Sequence, residues 1–248
     1  MSLTDEQLRR YARHVVLPEI GEAGQEKLLA ASVLVIGAGG LGSAALSYLA
    51  AAGVGRLGIA EHDRVELSNL QRQVMYETGD LGRAKIEAAA DRIHELNPDI
   101  ALELLPRRVT EENACERARG FDIVLDGSDN FSTRFAVADA CHQEKKPLIS
   151  AAISGFNAQL STFKPYLGVP HPCYRCLVPS APEREITCAQ EGIIGPLAGM
   201  MGAMQALEAL RELLGLGSLS GTLWSLDAHS MQSRLVRLPR DPACKYCA

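Results

Sequence analysis

The sequence predicts an α/β protein built on a doubly wound, mostly parallel sheet that antiparallel strands extend. Three observations predict it. Short apolar runs alternate with helical patterns through the first half of the chain, which is the rhythm of βαβ units. The first run leads into Gly37-Ala38-Gly39-Gly40-Leu41-Gly42, a G-x-G-x-x-G turn opening a helix, so the sheet reads as Rossmann-like. Past residue 150 the pattern changes to alternating, β-rich segments, which suit antiparallel pairing.

The elements follow in order. MSLTDEQLRRYARHVVLPEI reads as a polar helix and its exit, with no signal-peptide character. Val33–Ile36 is β-branched and apolar, a buried strand, and Leu41–Ala52 a short Ala-rich helix. Arg56–Ala60 is a strand, and residues 61–82 form a polar stretch with little regular patterning. Lys85–Leu96 carries Ile86, Ala89, Ala90, Ile93 and Leu96 at helical spacing and stops at Asn97-Pro98. Ile100–Leu105 is a strand, Thr110 caps a helix over Glu111–Ala118, and Phe121–Leu125 is a buried strand. Ser132–Glu144 is a helix and Pro147–Ala151 a strand. AAISGFNAQLSTFKP then alternates, and GTLWSLDAHSMQSRLVRLPR reads as strands around an Asp-Ala-His turn, both extending the same sheet.

Composition excludes several classes. A net charge of −5 lacks the basic footprint of a general nucleic-acid binder. The uncharged run Leu28–Gly55 is long enough to raise a membrane span, but Gly37, Gly39, Gly40 and Gly42 cut it into a strand and a short helix. The second apolar helix, Leu197–Leu214, carries Gln205, Glu208, Arg211 and Glu212. No membrane partner is expected. Seven cysteines, an odd number without a secretion signal, predict a reducing cytoplasm with free or metal-bound thiols. Cys115 and Cys141 fall on helices and read as buried small hydrophobes.

Cys173–Cys176 and Cys244–Cys247 are two C-x-x-C pairs. Each spacing lets two thiolates face one ion, and two pairs make the four-sulfur tetrahedron of structural zinc. The metal would clip the C-terminus onto a mid-chain loop and so restrict the unfolded chain. Disulfides or two independent surface pairs are the competing reading. With protein thiolates at every position, such a zinc knuckle has no open catalytic site.

In a doubly wound sheet, ligands bind beyond the carboxyl ends of the strands, which singles out Gly37–Gly42, Glu61–Asp63 and Asp126–Asn130. The glycine turn serves NAD, FAD and ATP alike, since glycines admit the ligand to the backbone and the helix N-terminus favours phosphate. Glu61, ending the second strand, suits ribose hydroxyls. The discriminating stretch is Ser68-Asn69-Leu70-Gln71-Arg72-Gln73, with Lys85 beyond it. Arg72 or Lys85 singly reads as a solvated charge. Together beside phosphates they suit a triphosphate, whose leaving pyrophosphate gathers charge. Asp129 in DGSDN suits Mg2+, while the same residue types also suit a helix cap near Ser132.

The ordered set GAGGLG, SNLQRQ, Lys85, DGSDN, C-Y-R-C and a terminal C-x-x-C resembles the ThiF/MoeB/HesA group, bacterial relatives of the ubiquitin-activating enzymes, over nearly the whole chain. The resemblance implies an adenylyltransferase that uses ATP and Mg2+ on the C-terminal Gly-Gly carboxylate of a small ubiquitin-like sulfur-carrier protein. Carried onto this sequence, it implies that Gly37, Gly39, Gly40, Gly42, Glu61, Asp63, Ser68, Asn69, Leu70, Gln71, Arg72, Lys85, Asp129 and Asn130 bind the nucleotide. Of these, Gly40 lies on the phosphates, Asn69, Arg72 and Lys85 hold them, and Asp129 serves Mg2+ and the transition state. Glu61 stands where the family commonly has Asp. Arg13 matches an arginine that reaches the neighbouring subunit's ATP, which implies a homodimer, and Cys173, Cys176, Cys244 and Cys247 match zinc ligands. Cys188 matches a loop cysteine that takes a thioester or joins persulfide chemistry in some relatives. Nothing in Glu183-Arg184-Glu185 before it lowers a thiol pKa, so catalytic and inert roles both stand.

The chain is expected to be one domain, 1–248, with a helical segment 1–30, a nucleotide-binding half 31–150 and a carrier-binding and zinc half 151–248. The carrier's tail is expected along Ala151–Phe163 by strand addition. No rhodanese-like domain follows the terminal knuckle, so a separate sulfur donor, such as a cysteine desulfurase or a rhodanese, is expected. The molybdopterin-synthase small subunit is the preferred carrier and the thiamin carrier the alternative. An NAD(P)-dependent oxidoreductase leaves Arg72, Lys85 and the cysteines unexplained, and a non-catalytic carrier-binding scaffold would not need Arg13, Arg72, Lys85 and Asp129 together.

Overall fold

The computed structural model describes residues 2–182 and 192–247. Its centre is an eight-stranded sheet of order β3-β2-β1-β4-β5-β6-β7-β8. β1 (Ser32–Ile36), β2 (Arg56–Ala60), β3 (Ala101–Leu105), β4 (Ile123–Asp126) and the start of β5 (Leu148–Ser154) pair in parallel. β6 (Asn157–Phe163), β7 (Thr222–Asp227) and β8 (Gln232–Arg237) continue antiparallel. The chain steps outward through β2 and β3, then returns to the other side of β1 as β4. That reversal opens a crevice at the carboxyl ends of β1 and β4.

Both faces of β1, β2 and β4 are covered, so their residues read as near-continuous apolar runs, whereas the edge strand β3 is largely exposed. Val33 and Val35 of β1 join one cluster with Leu46, Leu49, Ile86, Ile93 and Met201. Leu34 and Ile36 join the other with Phe121, Val124, Phe135 and Phe163. The first cluster lies under α4 (Gly40–Ala52), α5 (Lys85–Leu96) and the long α9 (Gly195–Leu214), and the second under α6 (Ala114–Arg119) and α7 (Phe131–Gln143). α4 and α9 meet closely because Gly202 has no side chain; a Cβ there would stand 2.1 Å from the Leu41 carbonyl oxygen. Gln205 of α9 is buried and donates through Nε2 to the carbonyls of Asp126 (2.8 Å) and Ile149 (3.1 Å), tying the helix to the ends of β4 and β5. Among the described residues, no helix is long and apolar enough to cross a membrane.

The N-terminal segment holds α1 (Asp5–Arg10), α2 (Ala12–Val15) and α3 (Gly21–Ala30). α1 opens on a capping box, with Thr4 Oγ1 accepting from the Gln7 N–H and Gln7 Oε1 accepting from the Thr4 N–H. α8 (Tyr174–Leu177) starts directly after Cys173 and contains Cys176.

Several expectations need correction. The helix expected at Glu111–Ala118 runs Ala114–Arg119. Asn113 turns its amide back onto the loop, accepting from the Thr110 N–H (3.0 Å) and donating to the Arg108 carbonyl (3.0 Å), so residues 111–113 form a turn and Thr110 is not its side-chain cap. α7 begins at Phe131, and Asn130 Oδ1 caps it by accepting from the Thr133 N–H (2.9 Å). Cys141 is buried, but Cys115 is only partly so and its thiol lies 3.3 Å from Gln143 Oε1. Strand addition along Ala151–Phe163 is narrowed, because β6 is paired on both sides. The β4 ladder, however, ends at Asp126 opposite Ser150, so β4 offers nothing opposite Ala151 and Ala152.

The turn after β1 depends on Gly42, where a Cβ would lie 1.8 Å from the Gly37 carbonyl oxygen. Gly42→Ala is expected to lower the unfolding free energy by about 1–3 kcal/mol in urea titration. Gly199→Ala, at a helical site with nothing within 4 Å, should leave it unchanged or raise it.

Candidate functional site

The crevice is floored by the glycine turn. Gly37 sits at φ 85°, a left-handed conformation that glycine adopts without strain. The next residue, Ala38, is held on both of its flanking peptides. The Ala38 N–H donates to Glu61 Oε2 (2.9 Å), and the Ala38 carbonyl accepts from the Tyr76 hydroxyl (2.8 Å). Burial, then the nearby Glu61 carboxylate, push the Tyr76 phenol above its usual range, so it stays a donor at any physiological pH. Glu61 Oε1 also accepts from the N–H groups of His62 (2.7 Å) and Asp63 (2.9 Å). Three of a carboxylate's roughly four acceptor positions are therefore taken by backbone. The structure thus places Glu61 as a brace of the turn, with little capacity left for a ribose.

Across the crevice stands the loop after β4. Asp126 is buried, and its Oδ1 accepts from the Ser128 N–H (3.0 Å) and hydroxyl (2.6 Å) while Oδ2 faces the Ser150 hydroxyl at 3.4 Å. Arg134 donates from Nε and Nη2 to the Ser128 carbonyl (3.2 and 2.9 Å). This bracing presents Asp129 at the mouth, exposed, with Asn130 beside it. Gly127 lets this loop lie against the first; a Cβ there would stand 3.2 Å from the Ile36 carbonyl oxygen.

The cations come from the polar stretch and from α5. Arg72 Nη1 donates to the Ser68 carbonyl (2.9 Å), and its Cγ and Cδ stand 3.6 and 3.7 Å from where a Cβ on Gly40 would be, so the side chain lies along the crevice wall. Lys85 opens α5 and is 5% exposed, its Nζ only loosely paired with Asp63 Oδ2 at 3.4 Å. A buried ammonium with a distant, solvent-exposed partner favours an arriving anion.

The crevice is lined by Gly37, Gly39, Gly40, Glu61, Asp63, Arg72, Lys85, Asp129 and Asn130. Gly42, Ser68, Asn69, Leu70 and Gln71 are not on its lining. Gly42 closes the turn from behind, Leu70 packs on the core, and Gln71 presses its backbone against Gly195 at the start of α9. Asn130 divides its amide between the helix cap and Asp129 Oδ1, 3.4 Å from Nδ2. Arg13 is exposed on α2, away from the crevice of its own chain. Cys188 lies outside the described residues. The sequence reading missed Arg107, Arg108 and Arg134 and gave no role to His62, Gln73 and Ser128, which lie in stretches it singled out; all six are on the lining. The strand-end rule would have found Arg107 and Arg108, which follow β3, and Gln73 is the last residue of the stretch already singled out.

A second cluster stands apart. The thiols of Cys173, Cys176, Cys244 and Cys247 lie within 4.8 Å of one another, with sulfur–sulfur separations of 3.7, 3.5 and 3.6 Å for 173–176, 173–244 and 176–247. A tetrahedron with metal–sulfur bonds near 2.3 Å has edges of roughly 3.8 Å. The donor set and its shape therefore fit a four-thiolate ion. No disulfide joins them. The Asp241 N–H lies 3.4 Å from Cys176 Sγ. Arg175, paired with Asp139 of α7 (2.7 and 3.2 Å), is sandwiched between the rings of Phe135 and Tyr246 and anchors the cluster to the main sheet layer.

Tyr76→Phe leaves the buried Ala38 carbonyl without its donor. It should cost about 1–3 kcal/mol in thermal unfolding. An unchanged melting temperature would show that the Tyr76 hydroxyl does not hold the turn.

A family model described as the ThiF family matches residues 11–246. A sulfur carrier protein adenylyltransferase of Thermus thermophilus is 47% identical over 252 residues, covering 100% of this chain and 93% of that protein. The sulfur carrier protein ThiS adenylyltransferase of Escherichia coli is 42% identical over 245 residues, covering 99% and 97%. The crystal structure of E. coli MccB superposes with a TM-score of 0.84 over 99% of this chain and 74% of that one, at 20% identity, which shows a shared fold. By the extent of the family match and the identity of these full-length relatives, the chain belongs to the ThiF family.

Proposed function

We propose that this protein is a nucleotidyltransferase that uses ATP to adenylate the C-terminal Gly-Gly carboxylate of a small ubiquitin-like sulfur-carrier protein. One observation carries the reading. A braced glycine turn, Arg72, a buried Lys85 and the exposed Asp129 all line one crevice at the reversal of the sheet. Two cations beside a phosphate turn are what triphosphate cleavage needs and what hydride transfer does not. The names of the Thermus and E. coli relatives point to the same reaction.

The attacking group is already a carboxylate, so no general base is required. It approaches the α-phosphate in line, and pyrophosphate leaves. Arg72 and Lys85 take up the charge that builds on the leaving group, and Gly39 and Gly40 admit the phosphates to the backbone. Asp129, with its hard oxygen donors, would hold the Mg2+ that accompanies ATP and neutralises phosphate charge. Arg13, exposed on α2, would serve the crevice of a second copy in a homodimer. The carrier's tail would run beside Ala151 and Ala152, where β5 outlasts β4, in a groove that also contains Phe131, Gln159 and Tyr174. Arg134 lines both this groove and the crevice, at the point where the carboxylate must enter. The four cysteines would hold a structural zinc that clips the C-terminus to the loop before α8. Sulfur would come from a separate donor, a cysteine desulfurase or a rhodanese.

The molybdopterin-synthase small subunit is the first carrier proposed. The thiamin carrier is the second, favoured by the name of the E. coli relative. Carrier-dependent exchange of pyrophosphate into ATP, run with each carrier, separates them and tests the whole reading. Asp129→Ala is expected to reduce that exchange by about 100-fold or more with zinc content unchanged; retained exchange would remove Asp129 from the reaction. Metal analysis of the purified protein should return about one zinc per chain. Cys244→Ser should lose it and expose the C-terminus to protease, and a folded protein without metal would overturn the knuckle.

A further inference from the structure

Among the described residues, most buried carboxamides are matched on the side chain by protein partners. Gln25 faces His14 Nδ1 and donates to the Ala52 carbonyl (both 2.9 Å), Asn97 donates to Tyr11 and Ala50, and Gln205 to Asp126 and Ile149. Gln73 differs. It is 4% exposed, lines the crevice, and its Oε1 has no hydrogen-bond partner. One turn earlier, the buried Asn69 Oδ1 is likewise unmatched. The backbone of this segment is not the cause, since the Gln73 N–H donates to the Asn69 carbonyl (3.0 Å) and the Gln73 carbonyl accepts from the Tyr76 N–H (3.1 Å). The main chain at Gln73 is therefore held by Asn69 and by Tyr76, whose hydroxyl braces the turn. Gln73 Nε2 stands 3.6 Å from where a Cβ on Gly39 would be, against the phosphate-facing part of the turn.

An unmatched buried polar atom is costly in a resting protein, and it is retained where a ligand completes it. The chemistry of the two ends says which ligand. A phosphate oxygen only accepts, so it suits the Nε2 edge facing Gly39. Oε1 only accepts, so it suits the O–H of water in the shell of the cation that a polyphosphate carries. We propose that Gln73 is a direct ligand of the hydrated Mg2+–triphosphate, contacting the phosphate chain through Nε2 and the cation's water through Oε1. The inference rests on the nucleotide reading above and assigns it a residue beyond Arg72, Lys85 and Asp129.

The test is nucleotide binding by titration calorimetry, with MgATP and AMP as probes, together with the melting temperature of the unliganded protein. Gln73→Met keeps the length and removes both polar ends. It should weaken MgATP by about tenfold or more, leave AMP within about twofold, and leave the unliganded melting temperature equal or raised because the unmatched oxygen is gone. Gln73→Asn, which only withdraws the amide by one methylene, should fall between Gln73→Met and the parent in MgATP affinity and serves if Gln73→Met does not fold. Equal losses for MgATP and AMP with a lowered melting temperature would make Gln73 a prop of the turn and overturn the inference. Unchanged MgATP affinity would overturn it too, while leaving the nucleotide reading standing. A parent protein that binds no MgATP would overturn the nucleotide reading itself, and this inference with it.

Discussion

Ala38 is the residue on which the site depends. It lies in the glycine turn with its N–H held by Glu61 and its carbonyl by Tyr76, both buried. Glu61 follows β2 and Tyr76 lies in the polar stretch that carries Arg72, so one residue registers the turn, the second strand and the cation-bearing segment against each other. A braced turn needs no rearrangement when charge develops above it, which is the physical content of preorganisation. The length of the Glu61 side chain has a physical consequence here. Its arm is long enough to reach the turn while its other oxygen still collects the N–H groups of His62 and Asp63.

The same logic extends across the crevice. Gly37 and Gly127 allow the two loops to meet backbone to backbone, where a Cβ on either would stand 3.2 Å from a carbonyl oxygen opposite, and Gly42 closes the first loop on the Gly37 carbonyl where a Cβ would stand 1.8 Å away. Asp126 and Gln205 then fix the β4 loop from below, one through Ser128 and the other through the strand carbonyls. α9 thus helps to position Asp129 although none of its own polar side chains reaches the crevice lining. The antiparallel half is joined through β5, whose last residues outrun β4 and leave room for an extended chain beside the reacting centre.

Much was legible in the sequence because it is local. β1, α4, β2 and α5 lie where apolar spacing and the glycine turn put them, and the two cysteine pairs announce a four-thiolate cluster before any coordinates. The helix-boundary errors are also local, and have one cause. Asn113 and Asn130 offer the backbone a side-chain partner, and which neighbour accepts that offer decides a helix boundary by a residue or three. Strand addition failed on β6 for a different reason. Alternation shows that a segment is a strand, not whether its edges are already paired.

By itself the sequence determined the α/β class, the phosphate-type turn, the presence of two cations and an acid downstream, and the cysteine framework. These follow from backbone geometry and spacing over a few residues. Only the tertiary structure decided that Glu61 braces the turn, that Ser68, Leu70 and Gln71 stand off the lining, and that Gln73, Arg107, Arg108 and Arg134 stand on it. The physical reason is the strand order. Residues far apart in the chain become neighbours only when β4 returns beside β1, and no spacing along the chain records which side chains then face the gap.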